Sequence, residues 1–324
     1  MTSTFIIAEA GANHNRNFDQ ALALIDTAVA AGADACKFQT YSSETLYSKN
    51  TPDFAGYKNI NQLIKDIELP REWQKDLKQY CEDNGIEFMS TPFDEQAVDE
   101  LVALGVKRLK IAGFESTDFR FIDMVASSKL PLVISLGIGF NLQYLDKVFD
   151  IASKYGNDLT LMHCNNAYPT PMSDVGLGMV TALSLDSRYK TGFSDHTTST
   201  LTPALAVAAG AVVIEKHFTL SKLLPGPDHP FALEPGELKE MVQLIRQAEL
   251  ALVPNLELFS ESEKAFKQAM RSVVAKKYIV AGETFTNENI TTKRPFLEGN
   301  VPARNFELIL GTKAIRDYSP DDFI

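Results

Sequence analysis

A short apolar run that ends in a polar or charged residue, followed by an amphipathic stretch of helical length, recurs eight times between Phe5 and Leu252. The runs begin near Phe5, Ala35, Glu87, Arg108, Leu132, Leu159, Thr191 and Val212. Strands this apolar are buried on both faces, and strands joined through a helix pair in parallel. Eight such βα units over about 250 residues describe a TIM (β/α)8 barrel, so residues 1–253 are expected to form one. The first intervening helix is expected to be capped by Asp19, to bury Leu22, Ile25, Ala28 and Val29, and to stop at Gly32.

Two connections break the rhythm. Residues 41–70 are a long polar excursion carrying Tyr41, Tyr47, Phe54 and Tyr57, which reads as a lid or a rim of the site. Asn165 to Pro171 holds two prolines that stiffen the loop after the sixth strand. The alternation ends at Val253-Pro254, and residues 254–270 read as a charged helical linker. From 271 to 324 short β-rich pieces joined by glycine turns predict a separate small domain.

The net charge of −11 argues against a general nucleic-acid binder, because phosphate backbones need concentrated Lys and Arg. Any anion must therefore meet a local positive field. Cys36, Cys81 and Cys164 lie far apart without CxxC spacing, which predicts reduced thiols and a cytoplasmic protein. No run reaches the ~18 apolar residues of a membrane span, and no export signal is read at the N-terminus.

In a barrel the carboxyl ends of the strands share one face, and active sites sit there. Taken in turn, those ends present Glu9, Lys37 with Gln39, Ser90 with Thr91, Lys110, Ser135, Asn166 with Tyr168, Ser194 with Asp195 and His196, and Glu215 with His217. A lone histidine at a strand end is usually hydrogen-bonded scaffolding, and a lone lysine in a strand usually snorkels to solvent. Convergence on one mouth changes the reading. His196 and His217, each beside an acid, predict a divalent-metal site suited to Mn²⁺, Co²⁺, Fe²⁺ or Zn²⁺, and less to Mg²⁺. Lys37 and Lys110 among Thr91, Ser135, Asn166 and Ser194 predict a phosphate site, with a Schiff base on either lysine as the other use.

The motifs Ile7-Ala8-Glu9-Ala10-Gly11 with Asn13-His14-Asn15, Lys37-Phe38-Gln39-Thr40, Ser90-Thr91-Pro92-Phe93, His163-Cys164, Tyr168-Pro169-Thr170-Pro171, Ser194-Asp195-His196-Thr197, Glu215-Lys216-His217-Phe218-Thr219, Pro225-Gly226-Pro227-Asp228-His229 and Lys293-Arg294-Pro295 follow in order along the chain. This series resembles the sialic acid synthase family, the bacterial N-acetylneuraminate synthases and their legionaminic and pseudaminic relatives. The terminal part resembles that family's antifreeze-like (SAF) domain. The resemblance implies a metal-dependent condensation of phosphoenolpyruvate with an N-acetylated hexosamine, N-acetylmannosamine foremost, or a 2,4-diacetamido hexose in the sister synthases. It implies phosphoenolpyruvate on Lys37, Thr91, Lys110, Ser135, Asn166 and Ser194, and the sugar near Gln39, Tyr168 and Asp228. By the same resemblance, His196 and His217 hold the metal, expected to be Mn²⁺ with Co²⁺ or Mg²⁺ as substitutes, and Glu9, Glu215 and His217 are the candidate catalytic groups. Arg294 would reach the barrel of a second copy in a domain-swapped homodimer.

Three positions depart from the family's usual pattern. Gly113 stands where many members carry a hydroxyl, Leu136 replaces a second hydroxyl after Ser135, and Arg16 stands where a glycine often follows Asn-His-Asn. Two further readings compete with the enzyme: a catalytically silent barrel that binds carbohydrate, and a terminal domain that acts alone on ice or glycans.

Overall fold

The computed structural model describes residues 3–53, 56 and 58–324; Phe54 and Tyr57 of the long excursion lie outside the described residues. The chain divides into two compact units, Met1–Val253 and Pro254–Ile324. In the first, strands and helices alternate: β1 (Phe5–Gly11), α1 (Phe18–Ala31) and β2 (Ala35–Thr40) are followed by α2 (Ser43–Leu46), α3 (Ile60–Ile67) and α4 (Gln74–Asp83). Then come β3 (Glu87–Pro92), α5 (Glu95–Leu104), β4 (Leu109–Ile111), α6 (Phe119–Ala126), β5 (Leu132–Leu136) and α7 (Leu145–Tyr155). The unit finishes with β6 (Leu159–Cys164), α8 (Gly178–Ser184), β7 (Lys190–Asp195), α9 (Thr202–Ala208), β8 (Val213–His217) and α10 (Pro235–Ala251).

The eight strands form one parallel sheet in the order β3-β2-β1-β8-β7-β6-β5-β4, and β3 meets β4 to close the ring. This is a TIM barrel. Two short helices, α2 and α3, lie within the long excursion. At α1 the cap is Asn17, whose side chain accepts from the Gln20 amide, and not Asp19, which lies within the first turn. There Asp19 faces the positive end of the helix dipole instead of holding an amide.

Two apolar layers explain why the chemistry collects at one end. Ile6, Leu24, Phe38, Leu77, Ile111, Leu161, Ile214 and Met241 belong to the layer between strands and helices. Ile7, Ala35, Met89, Val133, Met162 and Val213 fill the barrel interior. This inner plug closes the bore, so polar side chains one step further along the strands are held at the carboxyl-end mouth.

The second unit has its own core of Val273, Ala275, Ile279, Phe285, Ile290, Ala314 and Tyr318. Its β9 (Ser272–Ala275) and β10 (Ile290–Lys293) pair antiparallel, with α11 at Phe306–Ile309. The stretch expected as a helical linker falls within this unit, and its Glu261–Ala269 segment is 3₁₀ rather than α. Among the described residues no helix is long and apolar enough to cross a membrane.

Candidate active site

Strand register builds the mouth. Glu9 on β1 is level with Lys37 on β2 and with His217 on β8, while Ser194 on β7 is level with Glu215 on β8. Lys37 Nζ lies 2.7 Å from Glu9 Oε2 and 3.7 Å from Glu215 Oε2, and it donates to Thr91 Oγ1 at 2.9 Å. Lys110 Nζ stands 3.4 Å from Glu215 Oε1, which also accepts from Ser194 Oγ at 3.2 Å. Gln39 Nε2 donates to Glu9 Oε1 at 2.8 Å. Two cations and two carboxylates thus interleave in a layer where each is at most 4% exposed. Charges so buried persist only when paired.

Burial acts on both carboxyls, but their neighbours differ. Glu9 is pushed up to about 7 by burial, with Lys37 opposing and the charge of Glu215 adding to the rise. Glu215 is likewise penalised by burial, yet Lys110 and Lys37 together hold it below the ordinary carboxylate range. The lysines divide in the same way. Burial disfavours the Lys37 ammonium, but Glu215 and Glu9 outweigh it and raise its pKa, whereas burial prevails at Lys110 and lowers it. Ser135 is buried too, and among the described residues its Oγ has no hydrogen-bond partner.

The two histidines meet across the mouth, with ring centroids 5.6 Å apart. Burial depresses His196 to about 4 and His217 well below the usual imidazole value, so both rings are neutral near pH 7. His196 Nδ1 is 2.6 Å from Asn165 O, which fixes the proton on Nδ1 and leaves Nε2 as a lone-pair donor. His217 Nδ1 is buried, has no hydrogen-bond partner among the described residues, and lies 3.8 Å from Asp228 Oδ2. Tyr168 packs on His196 at 4.1 Å between centroids, and Phe231 lies 5.2 Å from both Tyr168 and His217. Two neutral imidazoles, one with an orphaned buried nitrogen, fit a divalent cation. Among the described residues no group of three or more His, Cys, Asp or Glu is arranged around a single ion position, so other ligands would complete the shell.

The NeuB family model matches residues 24–255, and the SAF domain model matches residues 270–324. The chain belongs to the NeuB family. It is 41% identical to the N,N'-diacetyllegionaminic acid synthase of Legionella pneumophila over 90% of this chain and 85% of that protein. It is 36% identical to a pseudaminic acid synthase of Campylobacter jejuni over 97% of this chain and 93% of that one. Among solved structures, the N-acetylneuraminic acid synthetase of Leptospira borgpetersenii in complex with citrate superposes with a TM-score of 0.75 at 32% identity, covering 82% of this chain and 90% of that chain. This is a synthase of the sialic or nonulosonic acid class, built as a TIM barrel plus a SAF domain.

Asn166 and Tyr168, also expected site residues of this NeuB chain, lie beside the same mouth. They approach each other through Asn166 Nδ2, 3.4 Å from the Tyr168 hydroxyl. Asn166 Oδ1 accepts from the Ile138 amide at 2.8 Å. A Cβ on Gly113 would stand 2.8 Å from Asn166 Oδ1, and one on Gly137 would stand 2.0 Å from it and 2.7 Å from the Gly113 backbone. The space left by a missing hydroxyl at Gly113 is therefore taken by the Asn166 carboxamide. Gly11 has φ of +53°, and a Cβ there would meet Asp228 Oδ2 at 2.9 Å and the His217 ring at 3.2 Å, so β1 can end beneath the His217–Asp228 pair only as glycine. Arg294 is exposed in the second unit, one residue past β10.

Asp195, expected at the mouth with Ser194 and His196, does not face it. Its Oδ2 lies 2.7 Å from Lys216 Nζ, and Lys216 also donates to Thr197 O and, at 3.2 Å, to Thr197 Oγ1. Both side chains are buried behind the strands, each one residue before a site histidine. Strand alternation carried the signal, because inward Ser194 and Glu215 turn Asp195 and Lys216 outward together. Glu115 was also missed. Its Oε2 is buried with no hydrogen-bond partner among the described residues, and burial lifts the carboxyl to about 7 with Lys110 opposing.

Proposed function

We propose that this chain condenses phosphoenolpyruvate with an open-chain N-acetylated amino sugar and water, releasing phosphate and a nonulosonic acid. The observation that carries this reading is the interleaved Glu9–Lys37–Glu215–Lys110 layer beside two neutral imidazoles. N-Acetylmannosamine was the acceptor expected from the motifs. The names of the legionaminic and pseudaminic relatives favour a 2,4-diacetamido hexose, and that is the acceptor proposed.

Lys37 and Lys110 would neutralise the phosphate and carboxylate of phosphoenolpyruvate, with Thr91, Ser135, Asn166 and Ser194 filling acceptor positions. Among the described residues Ser135 Oγ has no hydrogen-bond partner, which leaves it free for this. Glu215 stays ionised and holds both ammonium groups in place. When C3 of the enol attacks the sugar aldehyde, the aldehyde oxygen becomes a hydroxyl and takes up a proton. Water then adds at C2 and loses one, and the tetrahedral carbon expels phosphate by C–O cleavage. Glu9, with a pKa near neutrality and Gln39 orienting its other oxygen, is the group suited to move a proton at this end. Tyr168 and Asp228 would hold the sugar. A divalent cation on His196 and His217, Mn²⁺ in this reading with Co²⁺ or Mg²⁺ as substitutes, would polarise the aldehyde as a Lewis acid.

Arg294 is proposed to reach the sugar from a second copy in a swapped homodimer. A monomeric, fully active protein in sedimentation contradicts that part. The reaction itself is tested with phosphoenolpyruvate carrying ¹⁸O at the C2–O–P bridge. Recovery of the label in phosphate is expected, and recovery in the sugar acid would overturn the cleavage proposed.

A further inference from the structure

Asn15 and Arg16, in the loop between β1 and α1, both adopt left-handed backbone, with φ of 49° and 52°. Residues other than glycine enter this region at a cost, so something must hold the pair there. The Arg16 amide donates to Nδ1 of buried His14 at 3.0 Å. Its guanidinium crosses to the long excursion, where Nη1 donates to Lys65 O at 2.8 Å and lies 3.4 Å from Glu68 Oε1.

Lys65 belongs to the last turn of α3, whose carbonyls have no partner within the helix, and a cation there also meets the negative end of the dipole. The half-exposed ion pair alone would contribute little, so the carbonyl contact is the stronger part. The far oxygen of Glu68 accepts from the Ser43 amide at 2.8 Å, which extends the tie to the start of α2. On the inner side, the buried Tyr41 hydroxyl donates to Ile67 O at 3.2 Å. Tyr41 directly follows β2, so this bond ties the end of α3 to the strand that carries Lys37 and Gln39 to the mouth. Across the same loop, Asn15 Oδ1 lies 3.3 Å from Nε2 of His229, the neighbour of Asp228.

We infer that Arg16 is a positioning residue that latches the α2–α3 segment onto the β1–α1 loop and so sets the wall of the acceptor end of the mouth. The catalytic part of this rests on the function proposed above, while the latch itself does not.

The test compares Arg16→Gly, which relieves the backbone, with Arg16→Asn, which tolerates the left-handed region but cannot reach Lys65. In both, hydrogen exchange of the amides from Ile60 to Glu68 is expected to quicken about fivefold. The acceptor KM is expected to rise about threefold or more, with kcat and the phosphoenolpyruvate KM within about twofold. Unchanged exchange in Arg16→Asn, or a change confined to Arg16→Gly, overturns the latch. An equal rise in both KM values overturns its role at the acceptor end. If neither sugar is turned over by the parent protein, the proposed function fails while the exchange data still decide the latch.

Discussion

Glu9 and Glu215 share one ammonium, that of Lys37, yet their pKa values are displaced in opposite directions. The difference comes from Lys110, which pairs with Glu215 through Oε1 and leaves Glu9 with a single cation. Two carboxyls in one buried layer thereby take separate roles, one a fixed charge and the other a group that can exchange a proton near neutrality.

A pH profile follows from that separation. Log kcat/KM for the acceptor is expected to bend near pH 7, the value to which burial raises Glu9. Glu9→Gln is expected to lose that inflection and about 10²-fold or more in rate. Steady-state assays from pH 5.5 to 9 check this, and an inflection that survives the substitution assigns the proton to another group.

The Lys216–Asp195 pair gives a second expectation. Lys216→Met leaves Asp195 buried without its cation and should cost about 3 kcal/mol, read as a lowered Tm. Replacing both, as Lys216→Met with Asp195→Leu, should regain most of that stability. Because each residue precedes a site histidine, the double variant should still bind Mn²⁺ more weakly in an EPR titration. Wild-type affinity in the double variant would show that the pair only fills space.

Glu115 links stability to pH. Its folded carboxyl sits at about 7 against an ordinary 4.5, so the folded state binds more protons than the unfolded one between those values and this group's contribution falls as pH rises through them. Glu115→Gln removes the linkage. It should gain stability relative to the parent as pH rises through that window, by on the order of 3 kcal/mol, and level off above it. Denaturant melts at pH 5, 6, 7 and 8 measure the difference, and a constant offset contradicts the assignment.

The barrel was legible because a parallel sheet buried on both faces writes each strand as an apolar run, and the polar residue ending the run marks the mouth. Glu9, Lys37, Lys110, Glu215 and both site histidines were found that way. The face Asp195 uses follows from alternation, since inward Ser194 and Glu215 turn Asp195 and Lys216 outward. A reading of strand ends alone groups Asp195 with its neighbours, and its ion pair with Lys216 shows the separation. Arg16 looked like an isolated departure, since the carbonyl that holds it is 49 residues away. The filling of Gly113 by Asn166 needed coordinates for the same reason, because strand ends remote in sequence meet only when the barrel closes.

The most direct measurement is phosphate release from phosphoenolpyruvate with Mn²⁺, run with a 2,4-diacetamido hexose and with N-acetylmannosamine, each with and without chelator. Chelator-sensitive release with the diacetamido sugar, and much weaker release with N-acetylmannosamine, is the expected result. Release with N-acetylmannosamine alone would reverse the choice of acceptor. No release with either sugar would contradict the account of the mouth as a condensing site.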